Sequence, residues 1–238
     1  MKNISKYILL SFFIILVSCK EEVEKPKVIY ENNSKEKEEV KAEVGKILLA
    51  DLPLQMEGTS FLIFPVGEFS ISDSRSKIKY SGSEKESFVV SNSSEFEITG
   101  YLSNFKFQEI GSDSLTVLTD KPVLIERVTY LKTIADKTKK QLLVYVLEDM
   151  DSNKDEKLDS NDIKNLYISD VSGKNFTKLS NAYQELIDWN VIESQNRLYF
   201  RTIEDINKNG DFDKGDKVHY QFIDLLSKDW KAIEYNPI

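Results

Sequence analysis

Two stretches of the chain space their oxygen-bearing side chains for one kind of chemistry. The first reads Asp151-Ser152-Asn153-Lys154-Asp155-Glu156-Lys157-Leu158-Asp159-Ser160-Asn161-Asp162. The second reads Asp205-Ile206-Asn207-Lys208-Asn209-Gly210-Asp211-Phe212-Asp213-Lys214-Gly215-Asp216. Counted from the opening Asp, both carry an oxygen side chain at positions 1, 3, 5, 9 and 12 and an apolar residue at position 8. Alternate residues at 1, 3 and 5 aim carboxylates and amides at one centre. Position 7, Lys157 or Asp211, offers its backbone carbonyl; position 9 reaches the centre directly or through water, and position 12 closes the sphere. Such a set of hard oxygens on a flexible loop suits Ca²⁺, which takes six to eight oxygens. The expected ligands are therefore Asp151, Asn153, Asp155, Lys157, Asp159 and Asp162 in loop one, and Asp205, Asn207, Asn209, Asp211, Asp213 and Asp216 in loop two.

This spacing resembles the EF-hand calcium loop. Position 12 departs from it, being Asp in both loops where the EF-hand has Glu. Gly210 stands at position 6 of loop two, where the sharp turn needs positive φ; loop one has Glu156 there, which would be strained. Loop two is thus the more secure site. Loop one admits a second register opening at Asp149, but the register opening at Asp151 keeps Leu158 opposite Phe212 and the downstream strands aligned. Asp205, Asn207, Asn209, Gly210 and Asp213 also resemble the calcium loops of integrin-type propeller repeats, which lie between strands.

Other chemistry is sparse. The single His219 has no evident triad context, and its strand position suggests a surface or packed residue. No nucleophile elbow, phosphate loop or dinucleotide motif is present. One cysteine rules out an internal disulfide, and one histidine rules out a multi-histidine metal site. Asp and Glu are abundant without any pair being singled out, so the alternative to a binding protein is a surface hydrolase acting on polysaccharide or peptide.

The elements that must hold the loops read as strands. Leu142–Leu147 and Leu198–Ile203 enter them; Leu166–Ile168 and Val218–Ile223 leave. From about Ile47 onward, short runs rich in β-branched and aromatic residues recur between Ser, Asn, Asp and Gly, with no sustained helical stripe. At an offset of 54, Tyr145, Asp151, Asn153, Lys154, Asp159, Asp162 and Asp170 fall on Tyr199, Asp205, Asn207, Lys208, Asp213, Asp216 and Asp224. At an offset of 61, Asn104–Thr119 falls on Asn165–Ser180. The segment Leu166–Leu198 resembles a TolB-type β-propeller repeat, with Trp189 at the Trp position, although that family's Pro-x-Trp-Ser-Pro-Asp-Gly core is absent. The expected fold is all-β, with about three antiparallel propeller-like blade units too few to ensure a closed ring; a β-sandwich is the alternative.

At the N-terminus, Lys2 and Lys6 precede an eleven-residue apolar run, Tyr7–Val17, broken only by Ser11. That is too short to span a bilayer and reads as a signal peptide over residues 1–18. Leu16-Val17-Ser18-Cys19 resembles the bacterial lipobox. The resemblance implies cleavage before Cys19, acylation of that cysteine with chains such as palmitate, and anchoring in the cell envelope. Lys20-Glu21-Glu22 resembles the short signal that sends some outer-membrane lipoproteins to the cell surface. Residues 19–46 then read as the lipidated Cys and a flexible charged tether, 47–122 as an N-terminal β region, and 123–238 as two repeat units with one calcium loop each. A formal net charge of −8 argues against nucleic acid as a partner. The remaining expectation is a membrane held through lipid and an unidentified protein or polysaccharide partner.

Overall fold

The computed structural model describes residues 27–29, 46–70 and 89–238. The expected signal peptide, Cys19 and most of the expected tether lie outside the described residues. What is described is all-β and antiparallel, with one short helix.

The first sheet contains β1 (Lys46–Ala50), β2 (Leu54–Gln55), β3 (Phe61–Ser70), β4 (Ser91–Ser93), β5 (Glu97–Glu109), β6 (Leu115–Val117), β7 (Leu124–Tyr130), β8 (Leu142–Glu148), β9 (Lys164–Asp170) and β10 (Thr177–Lys178). Its main path runs β1-β3-β5-β7-β8-β9-β10, with β2 added to β3, and β4 and β6 added to β5. The second sheet is a four-stranded meander of β11 (Gln184–Ile192), β12 (Arg197–Glu204), β13 (Lys217–Asp224) and β14 (Ile233–Glu234). The first sheet runs without a break across residues 122–123, where composition separates two regions, because Ile98 of β5 pairs with Val128 of β7. Neither sheet closes into a ring.

Side-chain alternation explains the layers. On β12, Leu198, Phe200 and Thr202 point inward and are buried, while Tyr199 and Arg201 face outward. β8 is different: Leu-Leu-Val-Tyr-Val-Leu-Glu is apolar on both faces, as a strand covered on both sides must be. Leu143, Tyr145 and Leu147 enter one core with Ile98, Leu102, Phe105 and Phe107 of β5. Leu142 and Val144 enter a second core with Leu166 and Ile168 of β9, Leu198 and Phe200 of β12, and Ile223 of β13. The two sheets therefore stack through the second core, and each fully buried aliphatic side chain contributes about 1.5–3 kcal/mol.

The all-β body carries one short helix, α1 (Lys132–Thr138). It lends Ala135 to the first core and Ile134 to the second. It has no side-chain N-cap and ends on Lys139 with φ 65°, so the cap signals that would reveal it in sequence are missing.

Both internal repeats have structural counterparts. In the copy at offset 61, Lys106 pairs with Val117 and Tyr167 with Lys178, so hairpins β5–β6 and β9–β10 share one register. At offset 54 the hairpins β8–β9 and β12–β13 each carry one acidic loop, but the strands leaving the loops are not aligned as the sequence suggests. Asp170 pairs with Leu142, whereas Asp224 pairs with Arg197, one residue beyond the equivalent position. The spacing becomes 55 after loop two: Ile168 enters the second core from β9 and Ile223 enters it from β13.

Candidate calcium loops and their surroundings

Each loop joins two antiparallel neighbours, β8 to β9 and β12 to β13, with no flanking helix. Their internal hydrogen bonds match position by position. In loop one the N–H of Glu156 donates to Asp151 Oδ2 (3.0 Å), Asp155 to Asn153 Oδ1 (3.0 Å), Lys157 to Asp155 Oδ1 (2.9 Å), Asn161 to Asp159 Oδ1 (2.8 Å) and Asp159 to Asp162 Oδ2 (3.0 Å). In loop two the N–H of Gly210 donates to Asp205 Oδ2 (2.8 Å), Asn209 to Asn207 Oδ1 (2.9 Å), Asp211 to Asn209 Oδ1 (2.8 Å), Gly215 to Asp213 Oδ1 (2.7 Å) and Asp213 to Asp216 Oδ2 (2.8 Å).

Positions 4 and 6 are left-handed in both loops. Lys154 and Lys208 each have φ 58°, Glu156 has φ 68° and Gly210 has φ 90°. The two loops are therefore alike in backbone when Asp151 is set against Asp205. Asp149, the rival start, instead takes the hydroxyl of Tyr167, the amide of Asn165 (2.8 Å) and the ammonium of Lys178 (2.7 Å).

The loops differ at their ends. Asp162 is wholly buried, and its Oδ1 accepts from the N–H groups of Ser152 (2.7 Å) and Asn153 (3.3 Å), with Ser152 Oγ at 3.1 Å. Burial raises its pKa, against the opposing pull of those backbone donors. Two carboxylate oxygens in ligand positions are buried without any hydrogen-bond donor: Asp151 Oδ1 at position 1 and Asp216 Oδ1 at position 12. An orphaned buried carboxylate oxygen is costly, and a cation is one of the few partners that removes the cost. Among the described residues no three Asp, Glu, His or Cys side chains are gathered tightly enough to hold an ion unaided. The loops mix carboxylates with amides and a backbone carbonyl, and their oxygens are turned onto their own N–H groups. The donor set, all hard oxygens with one orphan per loop, fits Ca²⁺.

Residues 27–29, within the stretch that composition assigns to the tether, sit against both loops. The Val28 N–H donates to the Gly210 carbonyl (3.1 Å) and the Ile29 N–H to the Ser152 carbonyl (2.8 Å). Ser152 Oγ donates to the Lys27 carbonyl (3.0 Å), and Val28 is 1% exposed. Ser152 occupies position 2, which calcium-loop spacing leaves unspecified, so no motif signals its role.

Three further groups escape the sequence reading. Glu148, at the end of β8, lies on the same side of the strand as Val144 and is fully buried. No donor reaches its carboxylate; the neighbouring group is the Glu126 carboxyl, so a shared proton is the bridge available. Burial first, and Glu126 second, push its pKa up to about 9. Lys164 pairs with Glu126 at 2.8 Å, and burial pushes nearby Glu185 up to about 7. Strand alternation is the signal that could have exposed Glu148 as an acid on an apolar face. Second, His219, which its strand position left open as a surface or a packed residue, is buried between Glu204 (2.7 Å) and Glu234 (3.0 Å), bridging β12 and β14. Third, a cleft of about 920 Å³ lies where β6 and β10 face each other. Tyr167 and Phe176 stack there with centroids 4.6 Å apart, beside Lys178 and its partner Asp149.

Among the described residues no helix is long and apolar enough to cross a membrane. In comparisons with known proteins, no family model matches the chain, and no curated protein or solved structure is detectably similar to it.

Proposed function

We propose that this chain is a lipid-anchored, calcium-stabilised all-β protein of the cell envelope that binds another macromolecule, a protein or polysaccharide. The observation carrying the calcium reading is the pair of loops that share five hydrogen bonds position by position, with a buried, donorless carboxylate oxygen in each. Calcium is structural here: it links loop residues whose like charges oppose close approach. Anchoring rests on the lipobox resemblance at Cys19, in an outer-membrane lipoprotein exposed at the surface. The blade-like reading of the repeats is supported by the two four-stranded meanders, β7-β8-β9-β10 and β11-β12-β13-β14. The stacked Tyr167 and Phe176 rings, flanked by Lys178 and Asp149 in an open cleft, support the binding role.

Calcium titration of the purified chain followed by thermal unfolding tests the central claim. Weak, extracellular-type sites have Kd of about 10⁻⁴–10⁻³ M. Millimolar calcium then stabilises by about 0.4–1.4 kcal/mol per site. Equal melting curves in calcium and in chelator reject the reading. For the anchor, Cys19→Ala should leave the protein as unacylated precursor or in the soluble fraction; processing and acylation like the parent's reject it.

A further inference from the structure

The seat between the two loops has an occupant that the loop chemistry does not require. Lys27, Val28 and Ile29 lie in it with an extended strand's hydrogen bonding: one N–H to each loop and one carbonyl taken by a loop side chain. Gly210 is shaped for this contact. A Cβ added there would come within 2.9 Å of the Val28 carbonyl oxygen, so the missing side chain lets the segment approach the turn. Ser152 lies between the two partners: its hydroxyl, with one proton to donate, is 3.0 Å from the Lys27 carbonyl and 3.1 Å from the buried position-12 carboxylate of Asp162.

We infer that the paired loops form a binding seat for a short extended peptide with a β-branched side chain, filled in cis by Lys27–Ile29, and that seating this segment and binding calcium are mutually reinforcing. The inference rests on the calcium reading above. Its physical basis is that the groups holding the segment, the Ser152 and Gly210 carbonyls and the Ser152 hydroxyl, belong to the turns the ion would fix. An ion that orders both turns strengthens the seat, and by reciprocity the seated segment strengthens ion binding by the same factor.

For an anchored protein the seat sets a leash. Val28 lies nine positions beyond Cys19, and Lys46 lies 27 beyond it. Fully extended, these stretches span at most about 30 Å and about 95 Å. Seating the segment therefore holds the loop end of the body near the bilayer, and releasing it roughly triples the permitted distance.

The test uses the full chain in detergent. Trypsin cuts after Lys27, whose following residue is the seated Val28, while Lys25 is protected by Pro26. Cleavage at Lys27 should be at least about fivefold slower in millimolar calcium than in chelator, the lower bound of ordinary coupling. Val28→Asp should abolish that difference and weaken calcium affinity by about the same factor. Ile29→Pro, which removes the N–H donated to Ser152 while leaving the Val28 side chain in place, should reproduce part of both effects. Equal cleavage in calcium and chelator, in a parent that measurably binds calcium, overturns the coupling and leaves the calcium reading standing. A parent that binds no calcium overturns both. Unchanged calcium affinity in Val28→Asp and Ile29→Pro also overturns the coupling.

Discussion

Glu156 and Gly210 occupy the same turn position with different freedom. Glu156 holds φ 68° with an exposed side chain, so glycine there would relieve strain without losing packing. Glu156→Gly should raise stability by about 0.5–1 kcal/mol, offset in part by the entropy of the unfolded chain. Urea unfolding in chelator measures it, and no change or a loss counts against a strained turn. Gly210 lets loop two adopt the fold at no such cost. Asp205→Ala should therefore remove more of the calcium-dependent rise in melting temperature than Asp151→Ala; the reverse order would show loop one to be the tighter site. At this scale the spacing of Asp, Asn and Gly was informative because a turn whose N–H groups are taken by its own side chains constrains side-chain type at fixed intervals. Val28 and Ser152 were not legible. The triplet Val28-Ile29-Tyr30 is too short to carry a periodic pattern, and a serine at an unconstrained loop position looks solvated.

At the level of elements, the β9–β10 turn places Gly173 under the ring of Phe107. Its φ is +77°, and a Cβ would lie 2.4 Å from the ring. Gly173→Ala should destabilise the fold by about 2–4 kcal/mol through left-handed strain and overpacking of the first core. A melting temperature within a degree of the parent's would contradict this. The strands entering and leaving the loops could be read in advance because their alternation is clean, as at Leu198, Phe200 and Thr202. The one-residue slip after loop two was hidden: the two loops match in length, and the difference lies in how many residues separate each loop from its pairing strands. α1 was hidden by its two-turn length and absent caps, its position being set by Ile134 and Ala135 reaching the two cores.

Across the whole molecule, the buried acids between the sheets tie stability to pH. Glu148 has a folded pKa raised from 4.5 to about 9, so between those values the folded chain holds more protons than the unfolded one. Stability then falls as pH rises through this window, by up to about 1.4 kcal/mol per pH unit for one proton. Glu185, raised to about 7, adds to the fall over the lower part of the window. Glu148→Gln keeps the shape and removes the titrating charge. Relative to the parent, this variant should gain stability steadily from pH 5 to pH 9, as read by urea unfolding at several pH values; a constant difference would contradict the account. The all-β class was legible from run length and residue type. That two cores share one strand was not, because which apolar faces meet depends on pairings such as Ile98 with Val128 that are distant in sequence.

The double burial of β8 has a consequence for how the molecule opens. Leu142 and Val144 belong to one core while Leu143 and Tyr145 belong to the other, so neither core can come apart without disturbing the same seven residues. Local fluctuations that expose backbone amides to solvent deuterium should reach β1 and β14 at the sheet edges early. The amides of β8 should exchange only when the whole chain unfolds, with protection close to the global stability. The two halves of the body would then melt as one cooperative unit, and a cut placed between residues 122 and 123 would yield two fragments that fold only on each other.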